Sequence, residues 1–209
     1  MLNALEMEEA RHAAGYQWVC GVDEAGRGPL AGPVCAAAVI LPRGLDIEKL
    51  DDSKKLSPKR RQELYEIIVG EAVAWAVAMV DEKRIDEINI LQATLRAMEE
   101  AVAGLSQRPD LALVDANREP CLTVPCETII GGDGKCAAIA AASVVAKVTR
   151  DRLMEDLDEQ YPVYGFAVHK GYGTRRHYEA LHQFGPCPVH RQSFLKKFYA
   201  REERAGGLG

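Results

Sequence analysis

Two adjacent acidic residues followed by a glycine-rich turn are the feature that most limits how this chain can fold. Residues 21–33 are G-V-D-E-A-G-R-G-P-L-A-G-P, and the acids Asp23 and Glu24 come directly after a short apolar run. Adjacent carboxylates at a strand end repel each other unless a cation neutralises them, so the pair indicates a metal site. The bare backbone and single guanidinium of Gly26, Arg27 and Gly28 suit close approach to a phosphate or sugar. A solvated turn is the alternative for such a pair taken alone.

Length and composition indicate one globular domain. The chain has 209 residues, of which 47% are hydrophobic and 27% charged, enough for a substantial core. No apolar run approaches the ~20 residues of a transmembrane helix. The acidic N-terminus lacks a signal-peptide pattern, so we expect cytoplasmic residence without membrane contact. The six cysteines form no C-x-x-C pair, which predicts buried free thiols rather than a zinc site or a disulfide framework.

Positive charge is concentrated in two segments although the net charge is -5. Residues 53–61 hold five basic side chains and no acid, and residues 164–201 are also rich in lysine and arginine. The net charge argues against a protein that coats nucleic acid non-specifically. The segregation fits an enzyme with one face for an anionic ligand, and ordinary solvated surfaces remain an equal alternative.

Apolar periodicity predicts an α/β domain. The predicted strands cover residues 18–22, 34–41, 72–80, 111–114 and 123–130. The predicted helices cover residues 58–69, 85–105, 137–160, 175–183 and 192–201. Three strands followed by alternating helices and strands indicate a mixed sheet covered by helices.

Acidic residues follow three of the predicted strands. They are the Asp23–Glu24 pair, Asp115 and Asp133. If the first, fourth and fifth strands are neighbours, these carboxylates converge at one edge of the sheet. Hard oxygen ligands call for Mg²⁺ or Mn²⁺, and two such ions stabilise the attacking and leaving oxygens of a phosphoryl displacement. Asp115 taken alone could equally start a turn.

The chain resembles the ribonuclease HII family. The resemblance rests on seven segments in order, at residues 21–34, 52–61, 85–91, 114–117, 132–134, 141–152 and 164–174. It implies one ribonuclease H-like domain over residues 1–209, with a five-stranded mixed sheet flanked by helices. The core would cover about residues 18–160, a helical C-terminal extension for substrate contact about 161–200, and a disordered tail 203–209. The chain departs from the family pattern at Gly134, which follows Asp133 where many relatives carry serine, and this departure leaves the acid present.

The resemblance implies an endonuclease that cleaves RNA in RNA–DNA hybrids and nicks duplex DNA 5′ to single ribonucleotides, leaving a 3′-hydroxyl and a 5′-phosphate. The catalytic and metal-binding carboxylates would be Asp23, Glu24, Asp115 and Asp133, holding two Mn²⁺ or Mg²⁺ ions. We expect a monomer, and the sequence assigns no protein partner. The alternatives are a ribonuclease HIII-type enzyme, disfavoured because only about 17 residues precede the first strand, and a non-catalytic acidic metal-binding or interaction domain.

Substrate contacts follow from the same resemblance. Gly26, Arg27 and Gly28 match the motif that senses the 2′-hydroxyl, and Tyr172 matches the tyrosine that packs on the sugar of the next deoxynucleotide. The further expected contacts are Ser53, Lys54, Lys55, Ser143, Lys147, His169 and Lys170. A surface salt bridge is an equal interpretation for Lys147, and without the resemblance Tyr172 would be a partly buried loop aromatic. The histidine spacings match no metal-ligand motif.

Overall fold

The structure, a computed structural model, describes residues 4–45, 47, 50 and 57–206. The strands are β1 (Val19–Ala25), β2 (Val34–Ile40), β3 (Ala74–Val80), β4 (Leu111–Val114) and β5 (Cys126–Thr128). The helices are α1 (Ala4–Ala13), α2 (Pro58–Glu71), α3 (Glu82–Ala103), α4 (Ala137–Gln160), α5 (Phe166–His169), α6 (Arg175–Phe184) and α7 (Gln192–Gly206). A 3₁₀ turn over Gly132–Gly134 precedes α4.

The five strands form one mixed sheet in the order β3-β2-β1-β4-β5. β1 pairs antiparallel with β2, and β2 with β3, whereas β4 and β5 continue parallel to β1. The first, fourth and fifth strands are therefore neighbours, which meets the condition for their acids to converge, and their carboxyl ends reach the same edge. The expected fold, a five-stranded mixed sheet with flanking helices and a helical C-terminal extension, is confirmed.

Helices cover both faces of the sheet. α4 lies across β1 and β2 on one face beside α2, and α3 packs on the other face against β2 and β3. β2 is buried along its whole length because both faces are covered. The alanine-rich start of α4 lets the helix backbone approach β1 closely. A Cβ added at Gly21 would lie 2.0 Å from the carbonyl carbon of Ala138, so only glycine fits there.

Helix α1 was not predicted from the sequence. It is held by a long-range contact of Glu8, which is 7% exposed. The Glu8 carboxylate accepts hydrogen bonds from the Ala138 amide (2.8 Å) and the Cys136 thiol (3.3 Å). Since Cys136 makes no side-chain cap of its own, Glu8 supplies the N-terminal cap of α4 from another helix.

Two other elements differ from the sequence prediction. β5 has three residues instead of the expected eight, because Pro125 cannot donate to a sheet ladder and the chain turns at Gly131 (φ +65°). α3 is broken at Asn89, which adopts φ +69°. The Asn89 side chain accepts hydrogen bonds from the amides of Leu91 (3.0 Å) and Gln92 (3.2 Å), and so caps the second half of the helix.

The C-terminal helices form their own apolar cluster against α4. Phe166, Leu181 and Leu195 pack with Met154 of α4 and Leu30 of the glycine-rich turn. α7 reaches Gly206, so helix occupies residues 203–206 of the tail expected to be disordered, and residues 207–209 lie outside the described part. All six cysteines are free, and four are buried. Within the described residues, helices that combine the length and apolar character needed to cross a bilayer are absent.

Replacing Gly21 with alanine tests the close contact of α4 with β1. We expect Gly21→Ala to lower the free energy of unfolding by more than about 2 kcal/mol, because the added methyl meets main-chain atoms that cannot move independently. Gly70, in α2, is the matched control, since a Cβ there meets nothing within 4 Å. Gly70→Ala should leave stability unchanged or raise it by about 0.5 kcal/mol. Urea unfolding measures both, and equal effects would contradict the packing described.

Candidate active site

Three aspartates from separate segments meet at the carboxyl edge of the sheet. Asp23 lies in β1, Asp115 directly follows β4, and Asp133 lies in the 3₁₀ turn before α4. One carboxylate oxygen of each lies within 4.8 Å of the others. Asp23 and Asp133 are 6% and 8% exposed, so the group is largely withdrawn from water. Of the four carboxylates expected to converge, these three aspartates lie together and Glu24 is not among them, and Asp133 is reached through a turn rather than through the end of β5.

Hydrogen bonds of the Asp115 carboxylate hold the turn that carries Asp133. Its two oxygens accept from the amides of Gly131 (3.1 Å) and Asp133 (3.3 Å). The glycine after Asp133 therefore does not remove the acid from the group. Gly131 adopts a left-handed conformation (φ +65°), which lets the chain reverse tightly between β5 and the turn.

The Asp23 carboxyl is the most perturbed group of the site. Burial raises its pKa well above the ordinary value, and the nearby charges of Glu24 and Asp115 raise it further. Hydrogen bonds from Ser143 and from the Glu24 amide (2.7 Å) act in the opposite direction. The net result is that the surrounding side chains stabilise the charged form of this carboxyl only in part.

A cavity of about 390 Å³ lies over the aspartates and collects most of the predicted residues. Its walls include the predicted residues Asp23, Glu24, Gly26, Arg27, Gly28, Asp115, Ser143, Lys147 and Tyr172. The Glu24 carboxylate lies 3.3 Å from the Arg27 guanidinium. Tyr172 is 46% exposed, and a Cβ added at Gly28 would lie 3.4 Å from its ring, so the tyrosine stands over the glycine.

The lysines and the histidine predicted to contact substrate differ in their placement. Lys147 lies on the cavity wall with its ammonium 2.6 Å from Asp151, so the salt bridge anticipated as an alternative is present. The Lys170 ammonium lies outside the cavity wall, 2.6 Å from Glu155. His169 is buried, and its ring bonds the main chain of Tyr164 (2.8 Å) and Gly171 (3.2 Å). Its imidazole is thus turned into the protein, away from the expected substrate contact. Ser53, Lys54 and Lys55 lie outside the described residues.

Two buried arginines, missed in the sequence, hold the loop of residues 26–33. Arg150 of α4 is 1% exposed, and Arg191, just before α7, is fully buried. Arg150 donates to the main-chain oxygens of Ala31 (3.0 Å), Pro33 (2.9 Å) and Lys170 (3.0 Å). Arg191 donates to those of Gly26 (2.7 Å), Arg27 (3.0 Å), Pro29 (2.9 Å) and Gly32 (2.8 Å). Seven carbonyl groups are thereby satisfied by two side chains.

These guanidinium groups have carbonyl rather than carboxylate partners. Burial lowers the pKa of both arginines, and the nearby charge of Arg150 lowers that of Arg191 further. The planar fork of donors keeps them cationic at neutral pH, because every oxygen they meet is an acceptor. Gly26 (φ +93°) must be glycine here, since a Cβ would lie 2.0 Å from Nε of Arg150. One sequence signal for Arg150 existed: Ser143, Lys147 and Arg150 share one face of α4.

Replacing Arg191 with lysine tests this arrangement. A lysine keeps the charge but cannot reach four oxygens at once, so we expect a loss of about 3 kcal/mol or more in the free energy of unfolding. Arg175, whose side chain is 93% exposed, provides the control Arg175→Lys. That control should change stability by less than about 0.5 kcal/mol. Similar losses in both variants, measured by denaturant unfolding, would show that the carbonyl contacts are not needed.

Comparisons with known proteins agree with this site. A family model described as "Ribonuclease HII" matches residues 20–197. The ribonuclease HII of Caldicellulosiruptor saccharolyticus is 53% identical over 194 residues, covering 93% of this chain and 95% of that protein. The ribonuclease HII of Burkholderia lata is 58% identical over 176 residues, covering 84% of this chain and 82% of that protein.

Solved structures lead to the same family. Ribonuclease H2 from Pyrococcus horikoshii matches with a TM-score of 0.74 and 29% identity, covering 88% of this chain and 98% of that one. The PCNA:RNase HII complex from Archaeoglobus fulgidus matches with a TM-score of 0.69 and 29% identity, over 84% and 94% of the two chains. A Bst ribonuclease HIII structure, at 20% identity, shares the fold alone. The chain therefore belongs to the ribonuclease HII family and is a ribonuclease H-type hydrolase.

Proposed function

We propose that this ribonuclease H cleaves the RNA strand of RNA–DNA hybrids and also nicks duplex DNA on the 5′ side of a single embedded ribonucleotide, leaving a 3′-hydroxyl and a 5′-phosphate. The observation that carries the proposal is the meeting of three aspartates within 4.8 Å beneath a cavity that also contains Arg27 and Tyr172. The three aspartates suit phosphodiester hydrolysis, and Arg27 and Tyr172 suit recognition of a sugar. We also propose that the enzyme acts as a monomer.

The donor set fits Mn²⁺ or Mg²⁺. Its three members offer only carboxylate oxygens, which hard divalent cations prefer. The pKa of Asp23 is raised because burial disfavours its charged form, and a bound cation would stabilise that form. Asp23, Asp115 and Asp133 would hold the ions, with Glu24 completing the set from the cavity wall. Two such ions, when bound, supply the positive charge that activates the attacking water and stabilises the departing 3′-oxygen.

Recognition of the ribonucleotide falls to the loop of residues 26–28. Gly26 and Gly28 let main-chain atoms approach the ribose, and Arg27 brings a half-exposed guanidinium to the same wall. The 2′-hydroxyl is the group that separates RNA from DNA, so a rigid loop beside the aspartates selects the position of cleavage. Rigidity comes from Arg150 and Arg191, whose bonds fix the loop before substrate arrives.

Selection of an RNA–DNA junction falls to Tyr172. Its ring stands over Gly28 at the cavity wall and is half-exposed, so it can pack on the sugar of the next nucleotide. A 2′-hydroxyl on that sugar would collide with the ring, whereas a deoxyribose would fit. Ser143 and Lys147, which also line the cavity, would position the backbone phosphate. We assign Ser53, Lys54, Lys55 and Lys170 to contacts with the nucleic-acid backbone.

Cleavage of duplex DNA that carries one ribonucleotide tests the proposal. With Mn²⁺ or Mg²⁺ we expect a single nick 5′ to the ribonucleotide and no cleavage with chelator, because the aspartates alone cannot stabilise the developing charge. Gel mapping of the product ends measures this. Cleavage of all-RNA hybrids only would retain the nuclease and remove the role given to Tyr172.

Replacing Asp23 with asparagine separates catalysis from binding. We expect Asp23→Asn to lower turnover by about a thousandfold or more while affinity for the hybrid is retained, because the carboxylate holds an ion rather than the nucleic acid. The exposed Asp156 of α4 gives the control Asp156→Asn, which should keep full activity. Turnover and hybrid affinity are measured on the same samples. Joint loss of affinity and folding in Asp23→Asn would make Asp23 a structural residue.

A further inference from the structure

Three of the five histidines form a buried cluster beneath the loop that carries Tyr172. His169, His177 and His190 are 8%, 0% and 2% exposed. The rings of His169 and His177 are stacked, with centroids 4.5 Å apart and an interplanar angle of 14°. None of the three lies on the described wall of the active-site cavity, so the hydrolytic site itself does not account for them.

A chain of hydrogen bonds runs from Tyr172 through two of these rings. Nδ1 of His177 lies 2.9 Å from the carbonyl oxygen of Tyr172. Nε2 of His177 lies 3.0 Å from Nε2 of His190. At the far end, Nδ1 of His190 accepts from the amide of Cys187 at 3.0 Å and lies 3.1 Å from its thiol.

The carbonyl of Tyr172 fixes the proton positions along this chain. A carbonyl oxygen only accepts, so Nδ1 of His177 carries the proton and its Nε2 is the acceptor. Nε2 of His190 must then carry a proton, which leaves its Nδ1 to accept from Cys187. Nδ1 of His190 also lies 3.2 Å from the Cys187 carbonyl. A proton on that Nδ1 would leave Nε2 of His190 as an acceptor, so His177 would have to carry its proton on Nε2. Nδ1 of His177 would then face the Tyr172 oxygen with a lone pair, which is unfavourable. Burial lowers the pKa of both rings to about 4, which agrees with this neutral arrangement.

His169 completes the support of the same loop. Its ring accepts from the Gly171 amide (3.2 Å) and contacts the Tyr164 carbonyl (2.8 Å), while its own carbonyl accepts from the Tyr172 amide (2.9 Å). The Tyr172 amide thus donates to His169, and the Tyr172 carbonyl accepts from both His177 and the Thr174 amide (2.8 Å). The Tyr172 ring is half-exposed, so its position depends on this backbone support more than on contacts of its own.

We propose that His177 and His190 are positioning residues that set the height of the Tyr172 ring over Gly28 and so determine selectivity for an RNA–DNA junction. The inference rests on the proposed role of Tyr172. Selectivity against one hydroxyl group requires the ring to be held within a fraction of an ångström. The neutral histidine chain provides a rigid support, because each of its bonds has a single allowed direction.

The test compares kcat/KM on two substrates: duplex DNA with one ribonucleotide, and an all-RNA strand paired with DNA. The selectivity ratio is kcat/KM on the single-ribonucleotide duplex divided by kcat/KM on the hybrid. We expect His177→Phe, which keeps an aromatic ring but loses both nitrogens, to lower this ratio by about tenfold or more. Most of the hybrid activity should remain. His177→Asn retains a donor near the position of Nδ1 and should recover part of the ratio. His182 is exposed on the same helix, and His182→Phe should leave the ratio unchanged.

Tyr172→Ala separates this inference from the proposed function. If Tyr172→Ala keeps the wild-type ratio, the role of Tyr172 fails, and the inference fails with it. If Tyr172→Ala loses the ratio but folded His177→Phe keeps it, the histidine inference alone is overturned.

Nitrogen NMR of the wild-type imidazoles gives a readout that does not depend on any variant. If His177→Phe does not fold, His177→Asn is used for the measurement of the selectivity ratio. We expect His177 as the Nδ1–H tautomer and His190 as the Nε2–H tautomer throughout about pH 6–8. The opposite tautomers, or protonation of either ring in that range, would overturn the proposal.

Discussion

The contact of two buried guanidinium groups with one loop is the constraint on which the rest of the site depends. The loop of residues 26–33 leaves β1 directly after the acids and must turn back into β2 without regular hydrogen bonding. Arg150 and Arg191 together satisfy carbonyl groups along it. The same contacts reach Lys170, beside Tyr172, so loop and tyrosine are held by one framework. A buried polar main chain of this kind is costly unless its groups are satisfied.

This framework also explains how acids are tolerated at the sheet edge. The carboxyl of Asp23 is buried beside Glu24 and Asp115, which raises its pKa and opposes the charged form that ion binding requires. Arg150 stands on the wall of the same cavity with its charge shared among carbonyls. The Arg150 guanidinium is therefore directed at loop carbonyls, and we infer that a divalent ion supplies the charge that stabilises the Asp23 carboxylate.

Local sequence patterns were sufficient to predict most of the fold and most of the carboxylate site. Periodic apolar residues predicted ten of the elements, and acids after apolar runs predicted the convergence of Asp23, Asp115 and Asp133. What it could not predict depends on contacts distant in sequence. α1 is held through Glu8 on α4, and Arg191 bonds a loop some 160 residues earlier. The proton order in the histidine chain likewise depends on a carbonyl that only the folded loop brings to His177.

Solvent exchange of the arginine Nε–H protons tests the central claim directly. The Nε–H groups of Arg150 and Arg191 lie 2.9 Å and 2.8 Å from main-chain oxygens inside the protein, whereas Arg175 is exposed. Proton NMR, with signals assigned through the Arg150→Lys and Arg191→Lys variants, should find both buried groups exchanging far more slowly than Arg175 at neutral pH. Exchange of all three at the same rate would contradict a loop held by two buried guanidinium groups.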